Sequence, residues 1–488
     1  MTTTTTQPQQ RKNLDFINDD LEYLPHQIDG VRWLSRRTSF LLCDEMGLGK
    51  TLQALTAVAV DFQRGWASRF ITVVPATLKG NWEEEVHKHT SFKVMVLDGP
   101  PKKRAQQLDE FDDPEQGYHG LIVNYEQLPA HLNDFNSMRF DIAIYDEAHY
   151  LKNPSAKRTR AAQALQAKRH FVLTGSPMLN HVNDLWSLLH RVAPEEFPNY
   201  YRFRNRYCIY GGYKNKQIVG VKNTAELRDR LNHFMLRRLK KNVLDLPDKH
   251  HIQVYVDLHP QQRKIYTEVD KEMKLTLPNN PDPMEIENAL VKFTRLKEIC
   301  GTTASFEGME DHSYKLDRAM EMIEEITQES EEHVVVFTQF RAVLKALGNR
   351  MAASKTIEAP FSAIHGDVAA NQRMPLVRDW RDGPPGVLAL MLQVGGQGLN
   401  LTAANKCIFL DKLFVPKLNE QAEDRLHRIG TNTTQPVQIY EIIARKTIEQ
   451  RIEAILRQKA TVFGQIVDSN ELKRKLIQAL KEEEGEDE

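Results

Sequence analysis

The chain has 488 residues, of which 41% are hydrophobic and 27% are charged, and its formal net charge at pH 7 is −1. This composition is typical of a soluble protein with hydrophobic cores, and no run approaches the roughly 18 consecutive apolar residues that a membrane helix needs. At roughly 150 residues per domain, the length predicts about three domains, or two large ones with insertions.

The N-terminal residues, MTTTTTQPQQRKN, lack the apolar stretch of a secretory signal peptide, so we expect an intracellular protein with a short disordered tail. The cysteines lie far apart, at Cys43, Cys208, Cys300 and Cys407. Their spacing matches neither a disulfide framework nor a zinc-binding pattern.

Charge by itself does not predict a nucleic-acid partner. Six acidic residues lie between Glu482 and Glu488, and without them the rest of the chain has a positive balance. Local basic runs occur near Lys102, Lys152 and Arg237, but such runs are more often solvated faces than binding sites. The acidic end is expected to be a solvated, disordered tail, with a partner-binding or autoinhibitory element as the alternative.

Short apolar runs alternate with helical patterns such as 52–62 and 156–167 in the first part of the chain. The predicted strands are 40–43, 70–74, 94–97, 121–123, 142–145 and 170–173. Because these runs are continuously apolar and are separated by helices, they predict a parallel sheet that is covered on both faces.

The alternation stops near Pro194, and residues 195–300 are predicted to be mostly helical. Strands then resume at 334–337, 361–365, 387–392, 407–410 and 437–442. The sequence therefore predicts an α/β protein with two sheet-containing units on either side of a helical region. Residues 447–480 predict one or two further amphipathic helices.

Residues 44–51, with the sequence DEMGLGKT, follow a predicted strand and begin a predicted helix. Such a turn presents backbone N–H groups and a helix N-terminus to a phosphate group. In a loop of this kind, Lys50 reaches the β- and γ-phosphates and the Thr51 hydroxyl binds Mg²⁺. The strict pattern has glycine where this chain has Asp44, so a generic strand–turn–helix is the alternative.

A second acidic site, Asp146 and Glu147, lies at the end of the predicted strand 142–145. A carboxylate at the carboxyl end of a strand can hold Mg²⁺, and a neighbouring glutamate can orient an attacking water. We assign the first role to Asp146 and the second to Glu147. The alternative is a surface acidic pair that caps the next helix, and the upstream Lys50 loop favours the metal-binding interpretation.

Further motifs extend over nearly the whole chain, from about Leu24 to Ile452. They are LPHQIDGVRWL at 24–34, VP at 74–75 with NWEEE at 81–85, NYE at 124–126, DEAH at 146–149, LTGSP at 173–177, FMLRRLKKNVLDLPDK at 234–249, VVFTQ at 335–339, HGD at 365–367, GGQGLNLT at 395–402 and QAEDRLHRIG at 421–430. Together with DEMGLGKT, they resemble the SWI/SNF-type family of helicase-like ATPases in superfamily two. The segment 234–249 is the most family-specific of them and is expected to lie outside the ATP site.

The resemblance implies two RecA-like lobes with parallel sheets, helical insertions between them and a C-terminal helical segment. The implied divisions are a disordered tail at 1–20, a first lobe at 21–248 with a helical insertion at 195–248, a helical insertion and start of the second lobe at 249–320, the second lobe at 321–460, and a C-terminal helix with an acidic tail at 461–488. The chain is expected to be a compact member of the family, close to a bare motor.

The resemblance also implies that ATP and Mg²⁺ bind between the lobes. The implied nucleotide-binding residues are Gln27, which contacts adenine, and Asp44, Glu45, Met46, Gly47, Leu48, Gly49, Lys50 and Thr51. The implied catalytic residues are Lys50, Asp146, Glu147, Arg425 and Arg428, with Thr51 and Asp146 as ligands of Mg²⁺. For either arginine, a surface ion pair with Glu423 or Asp424 is the alternative.

Double-stranded DNA is the implied partner, bound through its backbone and without regard to sequence. The implied DNA contacts are Lys79, Asn81, Gln339, Gly396 and Asn400. For Lys79 and Asn81 the alternative is ordinary solvation at a helix start. Both Trp82 and Trp186 lie in apolar helical patterns, so we expect them in the core rather than stacked on bases. We predict no zinc at His149 or His427, because neither has a paired ligand at the required spacing.

The sequence thus predicts a DNA-dependent ATPase, namely a double-stranded DNA translocase that remodels protein–DNA complexes or DNA branches. One alternative is a strand-separating DNA or RNA helicase, and another is an ATP-gated clamp that holds DNA. We expect a monomer with a possible protein partner on DNA and no membrane association. The expected location is on DNA, in a bacterial or viral-host cytoplasm or in a nucleus.

Overall fold

Two parallel β-sheets, one in each lobe, organise the chain. The structure is a computed structural model, and it describes residues 15–18, 21–175, 177–178, 182–211, 217–272, 283–306, 308–395, 399–413, 416–428 and 435–453. No helix within these ranges is long and apolar enough to cross a membrane.

The first lobe alternates strands and helices from Pro25 onward. Its elements are α1 (Pro25–Leu34), β1 (Ser39–Leu42), α2 (Lys50–Gln63), β2 (Phe70–Val74), α3 (Lys79–His89), β3 (Val94–Val96), α4 (Pro101–Asp112), β4 (Gly120–Asn124), α5 (Leu128–Ser137), β5 (Ile142–Tyr145), α6 (Lys157–Ala164), β6 (Arg169–Leu173), α7 (Asp184–Val192), α8 (Tyr200–Tyr207), β7 (Cys208–Gly211), β8 (Gln217–Val221), α9 (Thr224–Phe234), β9 (Met235–Leu236) and α10 (Lys240–Val243). Among the residues described, its parallel sheet has the strand order β3-β4-β2-β5-β6-β1-β9.

Both faces of this first sheet are buried, which explains why its strands are continuously apolar. In β1, Phe40 and Leu42 pack into one hydrophobic cluster, whereas Leu41, with Cys43 just after the strand, packs into another on the opposite face. Successive side chains of a strand point to opposite faces, so a run without polar residues requires cover on both. The prediction of a parallel sheet with helices on both sides is confirmed for this lobe.

The second lobe repeats the alternation. Its elements are β10 (Lys249–Val256), α11 (Pro260–Glu272), α12 (Pro283–Gly301), α13 (Tyr314–Glu324), β11 (Val334–Thr338), α14 (Arg341–Ala353), β12 (Phe361–Ile364), α15 (Ala370–Asp382), β13 (Val387–Met391), α16 (Leu392–Gly395), β14 (Lys406–Phe409), α17 (Pro416–Glu423) and β15 (Val437–Ala444). In the described part of the chain, the sheet order is β10-β15-β14-β11-β13-β12, with parallel pairing throughout. The structure thus has the two-lobed α/β fold that the motifs imply.

The prediction of mostly helix over 195–300 is confirmed for the described residues, but it misses four strands. Strands β7 and β8 form an antiparallel hairpin, β9 adds an edge to the first sheet, and β10 adds an edge to the second. The sequence of β10, KHHIQVYV, alternates polar with apolar residues near its end, as a half-covered edge strand does. The two-residue strand β9 is too short to have a recognisable period.

Several predicted segments fall outside the described residues, among them the C-terminal helix and tail at 461–488 and the predicted DNA contact Gly396. Of the tail predicted at 1–20, residues 15–18 are described, and they pack on the first lobe. Ile17 forms an antiparallel bridge with Thr90, and Phe16 stacks on Phe92 at 4.9 Å between ring centroids. The expectation of disorder is therefore wrong for these four residues, because their apolar side chains cover the edge of the core.

Candidate functional site

The loop between β1 and α2 has the geometry of a phosphate-binding turn. Gly47 and Gly49 have φ angles of 83° and 76°, a left-handed region that glycine enters without strain. Gly49 caps α2, so the free N–H groups of the first helical turn face the loop. Lys50 and Thr51 are the first two helical residues, and Lys50 Nζ donates to the carbonyl oxygens of Asp44, at 3.0 Å, and Glu45, at 3.4 Å.

The remaining predicted nucleotide-binding side chains surround this loop. The carboxamide of Gln27 lies against Gly49, because a Cβ added to that glycine would be 2.4 Å from Gln27 Nε2. Its Oε1 accepts a hydrogen bond from the backbone of Leu24 at 3.0 Å. Met46 and Leu48 are buried, so what these two can offer a ligand is their backbone.

Asp44 is an anchor of the loop rather than a group that faces a phosphate. Its carboxylate is fully buried and accepts hydrogen bonds from the backbone N and Nε of Arg238, at 3.1 and 3.0 Å, and from Gln53 Nε2 at 3.2 Å. Arg238 Nη2 completes the ion pair. The expectation that segment 234–249 lies outside the ATP site is therefore wrong. The segment returns to the first sheet as β9, and this places Arg238 directly beside the loop.

The two acidic side chains after β5 have different surroundings. Asp146 Oδ1 accepts from the backbone N of Glu147 at 2.8 Å, and its Oδ2 accepts from the indole Nε1 of Trp82 at 2.8 Å. The hydroxyl of Tyr125 donates to the carbonyl of Asp146 at 2.7 Å, which fixes the backbone here. Burial and the nearby charge of Glu147 raise the pKa of Asp146.

Glu147 has a positive φ of 47°, a left-handed conformation that is uncommon for a residue other than glycine. Its Oε2 is 3.2 Å from His149 Nδ1, and the same nitrogen is 3.5 Å from Thr174 Oγ1 at the end of β6. Burial alone would raise the pKa of Glu147. The hydrogen bond and charge of His149, with the charges of Lys50 and Arg425, outweigh burial and lower that pKa. Glu147 is therefore held as a carboxylate.

Arg425 and Arg428 of the second lobe face the first lobe. Arg425 is 7% exposed, and burial lowers its pKa to about 10 against the opposing attraction of Glu147. A Cβ added to Gly47 would be 2.8 Å from Arg428 Cβ, so this arginine abuts the phosphate loop. The structure thus brings the acidic pair, the loop and both arginines together at the boundary between the lobes.

The alternative ion-pair partners of those arginines are occupied by lysines. Asp424 Oδ1 lies 2.9 Å from both Lys240 Nζ and Lys249 Nζ, and Glu423 Oε2 lies 3.3 Å from Lys249 Nζ. Both acidic side chains are buried, so the surface pair considered from the sequence does not describe them. Neither lysine is predicted from the sequence as a site residue. The one sequence feature that could have indicated them is that both lie in the family-specific segment 234–249.

The predicted DNA contacts have diverse surroundings. Lys79 is buried, and its Nζ donates to Leu97 O at 2.8 Å and Asp98 Oδ1 at 2.9 Å, so the alternative of plain solvation is wrong for it. Asn81 is partly exposed and Asn400 is exposed. Gln339, also partly exposed, donates to Lys412 O at 3.3 Å.

An inter-lobe cavity of about 330 Å³ opens beside Glu147. Glu147, Lys152 and Arg158 line it from the first lobe, and Gln393 and Gln421 line it from the second. The cavity therefore lies between Glu147 and the residues that follow β13, just before the GGQGLNLT motif.

Comparison with known proteins assigns both lobes. Residues 26–305 match the model of the SNF2-related domain, and residues 315–430 match that of the helicase conserved C-terminal domain. The chain is 30% identical to an uncharacterized ATP-dependent helicase of Mycoplasma pneumoniae, over 89% of this chain and 41% of that protein. It is 29% identical to the mouse DNA annealing helicase and endonuclease ZRANB3, over 97% of this chain and 43% of that protein.

The chain thus spans less than half the length of these curated relatives. Among solved structures, the Sulfolobus solfataricus SWI2/SNF2 ATPase core in complex with dsDNA is 27% identical, with 91% of this chain and 92% of that chain covered and a TM-score of 0.43. The family models alone match more than half of the residues, in the lobes that carry the phosphate loop and the paired arginines. The chain therefore belongs to the SNF2-related family of helicase-type, ATP-dependent enzymes.

Proposed function

We propose that the chain is an ATP-dependent translocase on double-stranded DNA, which remodels protein–DNA complexes or DNA branches by hydrolysing ATP between its lobes. The observation that carries the proposal is the position of Arg428, from the second lobe, against Gly47 of the phosphate loop, with the charge of neighbouring Arg425 lowering the pKa of Glu147 in the first lobe. An arginine that reaches the phosphate loop only when the lobes are together makes hydrolysis depend on lobe closure.

The groups around the loop fit a nucleoside triphosphate with Mg²⁺. The N-terminus of α2 and Lys50 offer backbone donors and an ammonium to the phosphates, while Thr51 and Asp146 offer the oxygen ligands that Mg²⁺ prefers. When bound, Mg²⁺ neutralises part of the phosphate charge. The close approach of the Gln27 carboxamide to Gly49 supports a place for Gln27 beside the nucleotide.

In the proposed reaction, Glu147 accepts a hydrogen bond from the attacking water and aligns it with the terminal phosphate. The lowered pKa of Glu147 keeps it ionised, and so able to accept a hydrogen bond, at neutral pH. The contact with His149 fixes the orientation of its carboxylate. Arg425 and Arg428 stabilise the charge on the transferring phosphoryl group, for which guanidinium forks are suited. Arginines in this role contribute roughly 10³–10⁵ in rate in related reactions.

Motion along DNA follows from the same arrangement. In the proposed cycle, groups of both lobes contact one nucleotide, so nucleotide binding favours closure of the lobes. Loss of the terminal phosphate removes some of these contacts and favours opening. A duplex held across both lobes would then be stepped along as they close and open. The name of the mouse relative, a DNA annealing helicase and endonuclease, supports DNA as the substrate class.

The test is the steady-state ATPase rate of the full chain, measured without nucleic acid and then with double-stranded DNA, single-stranded DNA and RNA. We expect duplex DNA to stimulate hydrolysis most, and we expect Lys50→Ala to abolish the stimulated rate. Backbone contacts release counterions, so the stimulation should decrease steeply as salt is raised. Stimulation by RNA alone, or equal rates with all three polymers, would rule out the translocase.

Two further assays separate the remaining functions. Displacement of a third strand from a DNA triplex reports movement along a duplex, whereas separation of a forked duplex reports a strand-separating helicase. We expect the first activity without the second. Binding of duplex DNA with no ATP hydrolysis would instead support an ATP-gated clamp. A protein partner on DNA and a monomeric state stay predictions.

A further inference from the structure

The linker segment, residues 234–249, contacts the phosphate loop through its backbone. Glu45 N donates to Arg238 O at 3.0 Å, and Lys240 N donates to Glu45 Oε2 at 2.7 Å. Lys240 is the first residue of α10 and is 5% exposed, although a lysine is rarely buried without a specific partner. The proposed hydrolysis chemistry gives this residue no role.

The side chain of Lys240 crosses from the phosphate loop to the second lobe. A Cβ added to Gly47 would be 3.4 Å from Lys240 Cε, so the aliphatic part passes over the loop. Its Nζ is 2.9 Å from Asp424 Oδ1 and donates to the carbonyl oxygen of His427. These two acceptors stand on either side of Arg425, and Arg428 follows directly after His427.

The turn at 424–427 has additional contacts with the linker segment. Lys249 Nζ lies 2.9 Å from Asp424 Oδ1, and His427 Nε2 lies 2.8 Å from Pro247 O. Lys240 differs from these residues because it also contacts Glu45 and Gly47 in the phosphate loop. Burial lowers its pKa to about 8 against the attraction of Asp424, as expected for an ammonium withdrawn from water.

The chemistry of lysine suits this position. An ammonium has three donors and can serve a carboxylate and a carbonyl at once, whereas a planar guanidinium directs its donors in a fixed fork. A buried ion pair contributes little net stability compared with well-packed apolar residues, so its value here lies in setting geometry. Because Lys249 also pairs with Asp424, loss of Lys240 does not leave that carboxylate without a counter-charge.

We infer that Lys240 is a positioning residue for Arg425 and Arg428: it holds the turn that carries them against the phosphate loop, across the boundary between the lobes. The inference rests on the proposed ATPase function of the same site. Its consequence is that a movement of the phosphate loop is transmitted to the two arginines through Lys240, whose backbone contacts the loop and whose side chain contacts the second lobe.

The experiment compares Lys240→Met with Lys241→Met in the full chain. Methionine keeps the length and apolar character of the lysine stem and removes the ammonium, and Lys241 is an exposed neighbour in the same helix. We expect Lys240→Met to lower the DNA-stimulated kcat about 10- to 100-fold, the size of effect that small misplacement of a catalytic group produces. KM for ATP should change less than about threefold, because the ground-state phosphate contacts are kept. Lys241→Met should stay within about twofold of wild type in both constants.

A double-mutant cycle separates positioning from general stability. If Lys240 acts through Arg425, Lys240→Met should reduce the residual rate of an Arg425→Ala variant far less than it reduces the wild-type rate. Equal proportional losses in both backgrounds would overturn the inference. So would a kcat of Lys240→Met within twofold of that of Lys241→Met.

Folding of the variants is checked by thermal unfolding. If Lys240→Met does not fold, Asp424→Asn probes the same contact from the second lobe, and the same loss of kcat with little change in KM is expected. Failure of the proposed function is distinguishable from failure of the inference. If the proposed function is wrong, the wild-type chain shows no DNA-stimulated ATP hydrolysis that depends on Lys50. Failure of the inference would appear only in the comparison of variants with an active wild type.

Discussion

The indole Nε1 of Trp82 donates a 2.8 Å hydrogen bond to Oδ2 of Asp146. Trp82 is 1% exposed, which confirms its predicted place in the core. The hydrogen bond adds a second role, because it leaves the Asp146 carboxylate with one fixed orientation at the end of β5. A residue in α3 thereby sets the direction of the proposed Mg²⁺ ligand.

Trp82→Phe should weaken metal use more than folding. The substitution keeps most of the packing and removes the donor, and a hydrogen bond to a charged group contributes about 1.5–3 kcal/mol. We expect the Mg²⁺ concentration for half-maximal ATPase activity to rise about 10- to 100-fold, in line with that energy. A Mg²⁺ titration of the steady-state rate measures it.

Trp186→Phe is the matched control. The indole of Trp186, in α7, is also buried. Its Nε1 donates to Phe197 O at 3.1 Å, in the loop after α7, and this hydrogen bond does not involve the acidic pair. We expect it to lower the free energy of unfolding by about 1 kcal/mol and to leave the Mg²⁺ requirement unchanged. An equal shift of the Mg²⁺ requirement in both variants would argue against a specific role for Trp82.

Arg238→Ala should destabilise the first lobe strongly. Removal of the guanidinium leaves the Asp44 carboxylate buried beside Gln53 without its counter-charge, and breaking a buried pair in this way costs about 3–5 kcal/mol. Arg237→Ala, an exposed neighbour, should change the free energy of unfolding by less than about 0.5 kcal/mol. Urea unfolding followed by tryptophan fluorescence measures both.

The same ion pair predicts a partial rescue. Asp44→Asn combined with Arg238→Met removes both charges, so we expect the double variant to be more stable than Arg238→Ala. Destabilisation of the double variant equal to the sum of its two single effects would show that the pair does not interact.

Gly47→Ala should impair hydrolysis beyond the effect of backbone strain. Gly47 and Gly65 both have left-handed φ angles, but a Cβ at Gly47 would be 2.8 Å from Arg428 Cβ, whereas one at Gly65 would meet nothing within 4 Å. Both substitutions should cost about 1–2 kcal/mol in strain. We expect kcat to fall at least about tenfold for Gly47→Ala and to stay near wild type for Gly65→Ala. ATPase assays at a temperature where both are folded test this difference.

Glu147→Gln should separate nucleotide binding from hydrolysis. The amide keeps the shape of the side chain but is a poorer acceptor for the attacking water, so we expect kcat to fall about 10²–10⁴-fold. Affinity for a fluorescent ATP analogue should stay within about threefold. Glu126→Gln, at a largely exposed carboxylate paired with Arg158, is the control and should retain full activity. Loss of binding parallel to loss of rate would mean that Glu147 holds the nucleotide instead.

The sequence could predict most of the central strands because their burial leaves a local signature. The run 142–145 is apolar at every position and the run 70–74 at every position but Thr72, and the structure has strands at the same residues. Edge strands have a weaker signature. An edge strand has a neighbouring strand on one side only, so fewer of its side chains are buried and fewer need to be apolar. The pairing of β9 with β1 depends on a contact between residues almost two hundred positions apart, which no local pattern records.

The candidate site divides in the same way. Asp146 and Glu147 directly follow β5, and the loop that leads to Lys50 follows β1, so their meeting at one sheet edge follows from the topology. The partners of the neighbouring charges do not follow from it. Asp44 pairs with Arg238 at a separation of 194 residues, and Lys79 is buried against Asp98, at the end of the next strand. A charged residue in a motif therefore suggests contact with a ligand even when the fold supplies an internal partner.

The addition of β9 to the first sheet decides where this chain can be cut. A fragment that stops before Met235 would retain the phosphate loop and the acidic pair, but it would leave the hydrogen-bonding edge of β1 bare and Asp44 unbalanced. Exchange of a lobe with that of a relative would face the same obstacle unless residues 234–249 travelled with the first lobe. The second lobe would in turn lose Lys240 from its arginine turn. The linker segment is therefore a structural part of both lobes, and a chimaera has to take it from the same protein as each lobe that it contacts.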